Sequence, residues 1–343
     1  MPPKGLNLPR DVILWYNTPA KTHFSLTQGG ATMLYRIGEN IQVLSTQVRQ
    51  AIDNRDPGPL MELAKAQVKG GAHMLDLNIG RRKKDGHEVM PWLIEVIDEA
   101  VPGTPVSLDT TNPAALEAGL KKCQELGIKA MINSVSAEEE RLTTVGPLAA
   151  KYNVPVIALT MTKAGIPVSA EERANIAMEI LLPRLTEMGV PVENIYLDPL
   201  VLTVAGTQEY VPNAIEAIRY FKALSDPPPM TVAGLSNVSN RVPPGSRSLI
   251  NRVYLVMLMA AGLDAAILNP LDKALNEVIR IIEERDDSTP VGKLLLTLYD
   301  ATAVGEDLDP SAVDMNDPEQ VAIWKTVQIL KNQIIYADSY LQM

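Results

Sequence analysis

Eight short apolar runs recur along this 343-residue chain, and five of them stop on a carboxylate or an amide. The five are Asp76 in HMLDLNIG, Asp109 in PVSLDTTN, Asn133 in KAMINSVS, Asp198 in IYLDPLV and Asn237 in TVAGLSNVS. A buried strand gains nothing from ending in an unpaired acid or amide, because desolvating such a group costs free energy unless a partner meets it. Repeated on strand after strand, the ending means that the strand ends converge on one polar pocket. A (β/α)8 TIM barrel builds its active site from the C-terminal ends of its strands, and this is the α/β fold the pattern predicts.

The strands are expected at 34–38, 74–77, 106–109, 130–133, 156–160, 195–198, 231–235 and 265–268. Each is short, apolar and bounded by turn or capping residues, as strands buried on both faces are. Helical periodicity fills the intervals. Leu60, Leu63, Ala64 and Val68 share one stripe behind Pro57 and Pro59, and Trp92, Leu93, Val96 and Ile97 form another. Asn112 before Pro113 has the residue types favoured at a helix start, so Asn112 reads as a cap. Eight strand–helix alternations favour a parallel barrel over an open doubly wound sheet, since no GxGxxG follows the first strand.

Residues 1–33 hold four prolines and no sustained periodicity, and read as an irregular arm before a single domain over 34–343. The acidic stretch 284–318 reads as an insertion with one short helical core, LLLTLY. The last helix is expected over 319–341, with Ile323, Val327, Leu330, Ile334, Ala337 and Leu341 on one seam. That seam suits docking on the barrel wall, ahead of pairing with a second subunit.

Composition limits the function classes. A net charge of −10 argues against nucleic-acid binding, which needs a basic footprint to neutralise phosphates. The one cysteine, Cys123, has no disulfide partner within the chain, so the expected setting is a reducing cytoplasm. The first residues lack a signal-peptide pattern, and no apolar run reaches the roughly 18 residues of a spanning helix, so a soluble protein is expected. The histidines His23, His73 and His87 show no ligand spacing, and HExxH, CxxC, GxSxG and phosphate-loop motifs are absent. No tightly bound metal is expected. The strand-end acids and amides remain, and they suit a flat, nitrogen-rich heterocycle: carboxylates accept from ring N–H and amino groups, while amides offer both donor and acceptor.

DLNIG (76–80), SLDTTN (107–112), INS (132–134), LTMTKAGIP (159–167), YLDPL (196–200), GLSNVS (234–239), LINR (249–252) and GLDAAI (262–267) occur in an order that resembles the methyltetrahydrofolate:corrinoid methyltransferases. These are pterin-binding barrels related to dihydropteroate synthase and to the folate module of cobalamin-dependent methionine synthase. The resemblance covers about residues 34–286 and resumes in NQIIYADSY (332–340). It implies a pterin-binding TIM barrel whose pterin sites are Asp109, Asn133, Asp198, Gly234, Ser236, Asn237, Arg247 and Ile267. Asn237 would be the catalytic residue reaching N5 of the pterin, with Asp76, Asn78 and Glu39 in support. It further implies methyl transfer between methyltetrahydrofolate and cobalt, in a cytoplasmic homodimer of one-carbon metabolism.

No stretch here resembles a cobalamin-binding motif, so the corrinoid is expected on a partner protein docking over the barrel mouth. The first strand, IGENIQ (37–42), departs from the family pattern at Asn40 and Gln42 while keeping Glu39. Dihydropteroate synthase-like condensation is the alternative on the same barrel. It wants a GGES-type loop after strand 2 and a Ser-Arg-Lys cluster at strand 7, where this chain has LNIGRRKKDG and SNVS. The run Arg81–Lys84 could hold a phosphate or a polyglutamate tail, or be a solvated loop.

Overall fold

The computed structural model describes residues 26–28 and 31–339, with side chains from Met33 onward. Most of the N-terminal arm, including His23, and Leu341 at the far end lie outside the described residues. Within the arm, Leu26–Gln28 pairs antiparallel with Ala31–Met33.

Eight parallel strands close into a barrel. In chain order they are β1 (Tyr35–Gln42), β2 (Met74–Asn78), β3 (Val106–Asp109), β4 (Ala130–Ser136), β5 (Val156–Leu159), β6 (Ile195–Asp198), β7 (Met230–Gly234) and β8 (Ala265–Leu268), with β8 pairing back onto β1. Helices separate them: α1 (Thr46–Asp53), α2 (Gly58–Lys69), α3 (Gly86–Ala100), α4 (Pro113–Leu126), α5 (Glu139–Tyr152), α6 (Ala170–Ile176), α7 (Leu182–Glu187), α8 (Pro212–Lys222), α9 (Pro244–Ala260) and α10 (Lys273–Glu284). The (β/α)8 TIM barrel expected from the strand endings is the fold observed. Two strands run longer than the apolar runs imply. β1 continues to Gln42 past a register shift between Gly38 and Ile41, and β4 continues to Ser136 past one between Asn133 and Val135.

Side chains alternate across the sheet, so each strand feeds two cores. The inward residues Tyr35, Ile37, Met74, Met131, Ile157, Tyr196, Met230, Val232 and Ala265 plug the lower barrel. The outward ones pack against the helices, where Leu60, Leu93, Leu116 and Val145 are fully buried. With the lower interior closed by apolar layers, inward polar side chains have room only at the C-terminal mouth.

The C-terminal segment corrects two expectations. Residues 290–303 form a full helix, α11 (Pro290–Ala303), capped by Thr289 and burying Leu294, Leu295, Leu296 and Leu298 in the core shared with α9. The last helix, α12 (Pro318–Leu330), stops well short of residue 341. Its seam residues Ile323, Val327 and Leu330 dock on the barrel wall as expected. Gln208 then captures the chain: its Nε2 donates to the Ile329 and Ile334 carbonyls at 2.8 and 2.6 Å, and its Oε1 accepts from the Tyr336 amide at 2.7 Å. Those bonds satisfy groups that a longer helix would have paired internally.

Candidate active site

Strand register gathers the first group of polar residues. Asn78 on β2, Asp109 on β3 and Asn133 on β4 occupy one row of the sheet. Parallel strands in register present such a row on the same face, so three polar groups meet at one level of the mouth. Asn78 donates its side-chain amide to Asp109 Oδ2. One layer below, buried Asp76 accepts from Ser107 Oγ at 2.6 Å and from Asn133 Nδ2 at 3.0 Å.

These bonds decide what is left for a ligand. Asn78 occupies one oxygen of Asp109, and Asn133 gives one of its two N–H groups to Asp76 while its carbonyl oxygen takes no bond. Asp198, at the end of β6 and 6 % exposed, accepts from the Leu200 amide at 2.7 Å through Oδ1 only. Asp109 Oδ1, Asn133 Oδ1 and Asp198 Oδ2 therefore have no donor among the described residues. All three are acceptors, and together they fit a ligand edge rich in N–H groups.

The second group lies across the mouth. Ser236 donates to Glu39 Oε1 at 2.6 Å, joining the β7 loop to β1. Asn237 sits in the 3₁₀ turn Leu235–Ser239 with its Oδ1 accepting from Asn240 Nδ2 at 3.2 Å, which leaves its own N–H exposed. Gly234 leaves room for the Asn237 side chain, since a Cβ there would meet its amide nitrogen at 3.0 Å. Ile267 on β8 packs on the inner apolar plug. Arg247 is exposed in the first turn of α9, the helix that packs on the Leu235–Ser239 turn, with Nε on the Val242 carbonyl at 2.6 Å. Asn112, expected as a cap, is one, accepting from the Ala114 and Ala115 amides.

Burial crowds negative charge here and raises every acid in the group. Glu39 is pushed up to about 7 by burial, against the lowering effect of the Ser236 bond. Asp198 is pushed up to about 6 by burial, opposed by the Leu200 amide and the Arg173 charge. Asp76 and Asp109 are both held above the usual carboxylate range, first by burial, with each other's charge adding to the effect at Asp76. Carboxylates displaced in this way are a frequent mark of a functional site.

A cavity of about 410 Å³ opens beside β3, β4 and β5. Asp109 and Asn133 line it with Thr110, Ser136, Arg141 and Met161, while Asp198, Ser236 and Asn237 lie outside its lining. Another cavity, of about 220 Å³ beside Cys123, sits at the opposite end of the strands. Among the described residues no cluster of His, Cys, Asp and Glu could hold a metal ion, and no helix is long and apolar enough to cross a membrane.

The family model described as pterin binding enzyme matches residues 47–269, which include seven of the eight barrel strands. The chain belongs to the pterin-binding enzymes. It is 34 % identical to the methionine synthase of Mycobacterium tuberculosis over 230 residues, covering 64 % of this chain and 19 % of that protein. It is 27 % identical to the methylcorrinoid:tetrahydrofolate methyltransferase of Eubacterium limosum over 242 residues, covering 69 % of this chain and 85 % of that one. The chain thus spans about a fifth of the methionine synthase and most of the methyltransferase. A solved Yersinia pestis DHPS with a pterine-sulfa conjugate aligns at TM-score 0.51 and 18 % identity, over 76 % of this chain and 98 % of that structure, which speaks to the fold alone.

Two basic residues of this pterin-binding enzyme escaped the sequence reading. Arg141 on α5 donates to the Ser134, Thr111 and Thr110 carbonyls at 2.8, 3.1 and 2.9 Å, clamping β4 to the loop after β3. Its context, AEEERLTT, reads as a charged helix start. Arg173 on α6 is fully buried, with Nε on the Pro167 carbonyl at 3.1 Å and its two terminal nitrogens without a partner. A lone arginine in a Glu-rich turn gave no signal of burial.

Proposed function

We propose that this chain is a methyltransferase that moves a methyl group between N5 of methyltetrahydrofolate and the cobalt of a corrinoid carried by a partner protein. The observation carrying this reading is the set of unpaired acceptor oxygens on Asp109, Asn133 and Asp198, which complements the N–H edge of a pterin. The similarity to a methylcorrinoid:tetrahydrofolate methyltransferase over 85 % of its length supports the same chemistry. The reading includes the homodimer and the cytoplasmic setting expected from the sequence.

The chemical difficulty lies at N5. As the N5–CH3 bond breaks, the nitrogen keeps the bonding pair and the methyl carbon takes the pair offered by Co(I). Expelling a bare amide-like anion is prohibitive, so N5 must gain a hydrogen bond and then a proton from water. The exposed Asn237 side-chain amide, whose oxygen accepts from Asn240, is free to swing its N–H to N5 as charge develops. A donor that strengthens there lowers the transition state more than the ground state. Glu39, bonded to Ser236 next to Asn237 and pushed up to about 7, can hold a proton close to that turn.

The test mixes the protein with methyltetrahydrofolate and photoreduced cob(I)alamin and follows the visible spectrum. Growth of the methylcob(III)alamin spectrum only in the presence of both protein and folate supports the assignment. A spectrum that stays that of cob(I)alamin contradicts it.

A further inference from the structure

Arg173 is buried without being spent. Its Nε donates to the Pro167 carbonyl at 3.1 Å, which ties α6 to the loop after β5, and its two terminal nitrogens have no partner. Arg141 shows what a structural guanidinium does in this protein: its Nε and both terminal nitrogens each hold a backbone carbonyl. A buried cation left half-satisfied costs free energy. The compensation must come from the groups its charge reaches.

Those groups single out one acid. Tyr254 of α9, Asp198 of β6 and Glu172 of α6 face the guanidinium. Tyr254 is buried and donates its hydroxyl to the Val211 carbonyl at 2.8 Å, and burial pushes its phenol up, so it stays neutral. Glu172 is exposed and committed to the helix cap, accepting from the Ser169 amide and hydroxyl at 3.3 and 3.2 Å. Asp198 is the one buried carboxylate of the three.

Asp198 in turn has few ways to hold a charge. Thr160, at the end of β5, bonds only its backbone carbonyl, from N at 3.2 Å and from Oγ1 at 2.8 Å. Leu200, at φ +63°, turns its amide onto Oδ1. The charged group that acts on this carboxyl is Arg173. A ring laid over the mouth removes the remaining water from Asp198, and desolvation favours the protonated form, which accepts poorly. The buried cation opposes that change just when the ligand needs an anion.

We propose that Arg173 is a positioning residue for folate binding: its buried guanidinium keeps Asp198 a carboxylate toward the pterin N–H edge, and acts through Asp198 rather than on the ligand. This rests on the folate reading above. The Pro167 bond sets where the guanidinium stands, and the two free nitrogens supply the charge.

The test follows the Asp198 carboxyl directly. Aspartate side-chain carboxyls are labelled with 13C in the full chain, and the Asp198 resonance is identified by its loss in Asp198→Asn. Its titration midpoint is then measured without ligand in wild type, Arg173→Met and Arg173→Lys. Loss of the charge in Arg173→Met should raise the midpoint by about one pH unit or more. Arg173→Lys keeps the charge and should leave the midpoint close to that of wild type. Methyltetrahydrofolate affinity of Arg173→Met should be about tenfold weaker at pH 7, with the gap closing as pH rises.

A midpoint unmoved in Arg173→Met overturns the proposal. So does an affinity loss that is equal at every pH and shared by Arg173→Lys, which makes the residue a structural clamp. If Arg173→Met does not fold, Arg173→Lys decides: a midpoint that climbs despite the retained charge overturns the proposal, and one that holds supports it. A raised midpoint in a protein that binds no folate upholds the hold of Arg173 on Asp198 and removes the folate reading instead.

Discussion

Asn133 donates a side-chain N–H to Asp76 across 3.0 Å, and that bond fixes which way its amide faces. What remains at the mouth is a carbonyl oxygen, level with Asp109 in the sheet register. The buried acid beneath thus fixes the polarity of the ligand edge above it.

Asn133→Ala should therefore act twice. It removes an acceptor from the pocket and leaves Asp76 with Ser107 as its one remaining side-chain donor. Folate affinity should fall about tenfold or more, and the fold should lose about 1–3 kcal/mol for the partly unsatisfied buried acid. Calorimetric binding and denaturant titration read the two effects separately. Asn133→Asp should be worse for stability, since it sets a second acid against Asp76.

Asp198 gives a pH dependence to binding. With its carboxyl pushed up to about 6 by burial, it is protonated below that pH and no longer a full acceptor. Folate affinity should fall by up to about tenfold per unit as pH drops below 6, one proton being taken up on release. Asp198→Asn should bind weakly and without this dependence. Fluorescence titrations between pH 5 and 8 measure both.

Stability should follow Glu39 in the opposite direction. Its carboxyl titrates at about 7 in the fold and near 4.5 when exposed. Between those values the folded chain retains a proton that the unfolded chain has released, so stability falls as pH rises through the window. The contribution present below pH 4.5 is lost by pH 7, on the order of 1–3 kcal/mol for such a shift. Urea midpoints for Glu39→Gln should decline less between pH 5 and 7 than those of the wild type.

Gln208 tests the account of the C-terminal segment. Gln208→Ala strips partners from the Ile329 and Ile334 carbonyls and the Tyr336 amide, and should cost about 1–3 kcal/mol. Hydrogen exchange of the residues after Leu330 should rise first, while the barrel strands stay protected.

The barrel was legible because strands covered on both faces become continuous apolar runs, and an acid at the end of such a run has no other reason to be there. Asp76, Asp109, Asn133 and Asp198 announced themselves in this way. The last helix was misread because its apolar seam continues through Ile334 and Ala337, and only Gln208, far off in sequence, captures the chain. α11 was expected only as the short core LLLTLY; it starts earlier because proline is favoured in a first turn and Thr289 caps it. The Glu39–Ser236 bond spans 197 positions, and no local pattern announces such a pair. Arg141 stayed hidden because two of the three carbonyls it holds lie in the loop after β3, 30 and 31 positions away in sequence.

Single-turnover transfer from methyltetrahydrofolate to cob(I)alamin by Asn237→Ala is the most direct measurement of the central claim. The predicted result is a methyl-transfer rate lowered about 10²- to 10³-fold, as for loss of a donor aimed at developing charge, with a smaller loss of folate affinity. A variant that transfers methyl at the wild-type rate would contradict the account.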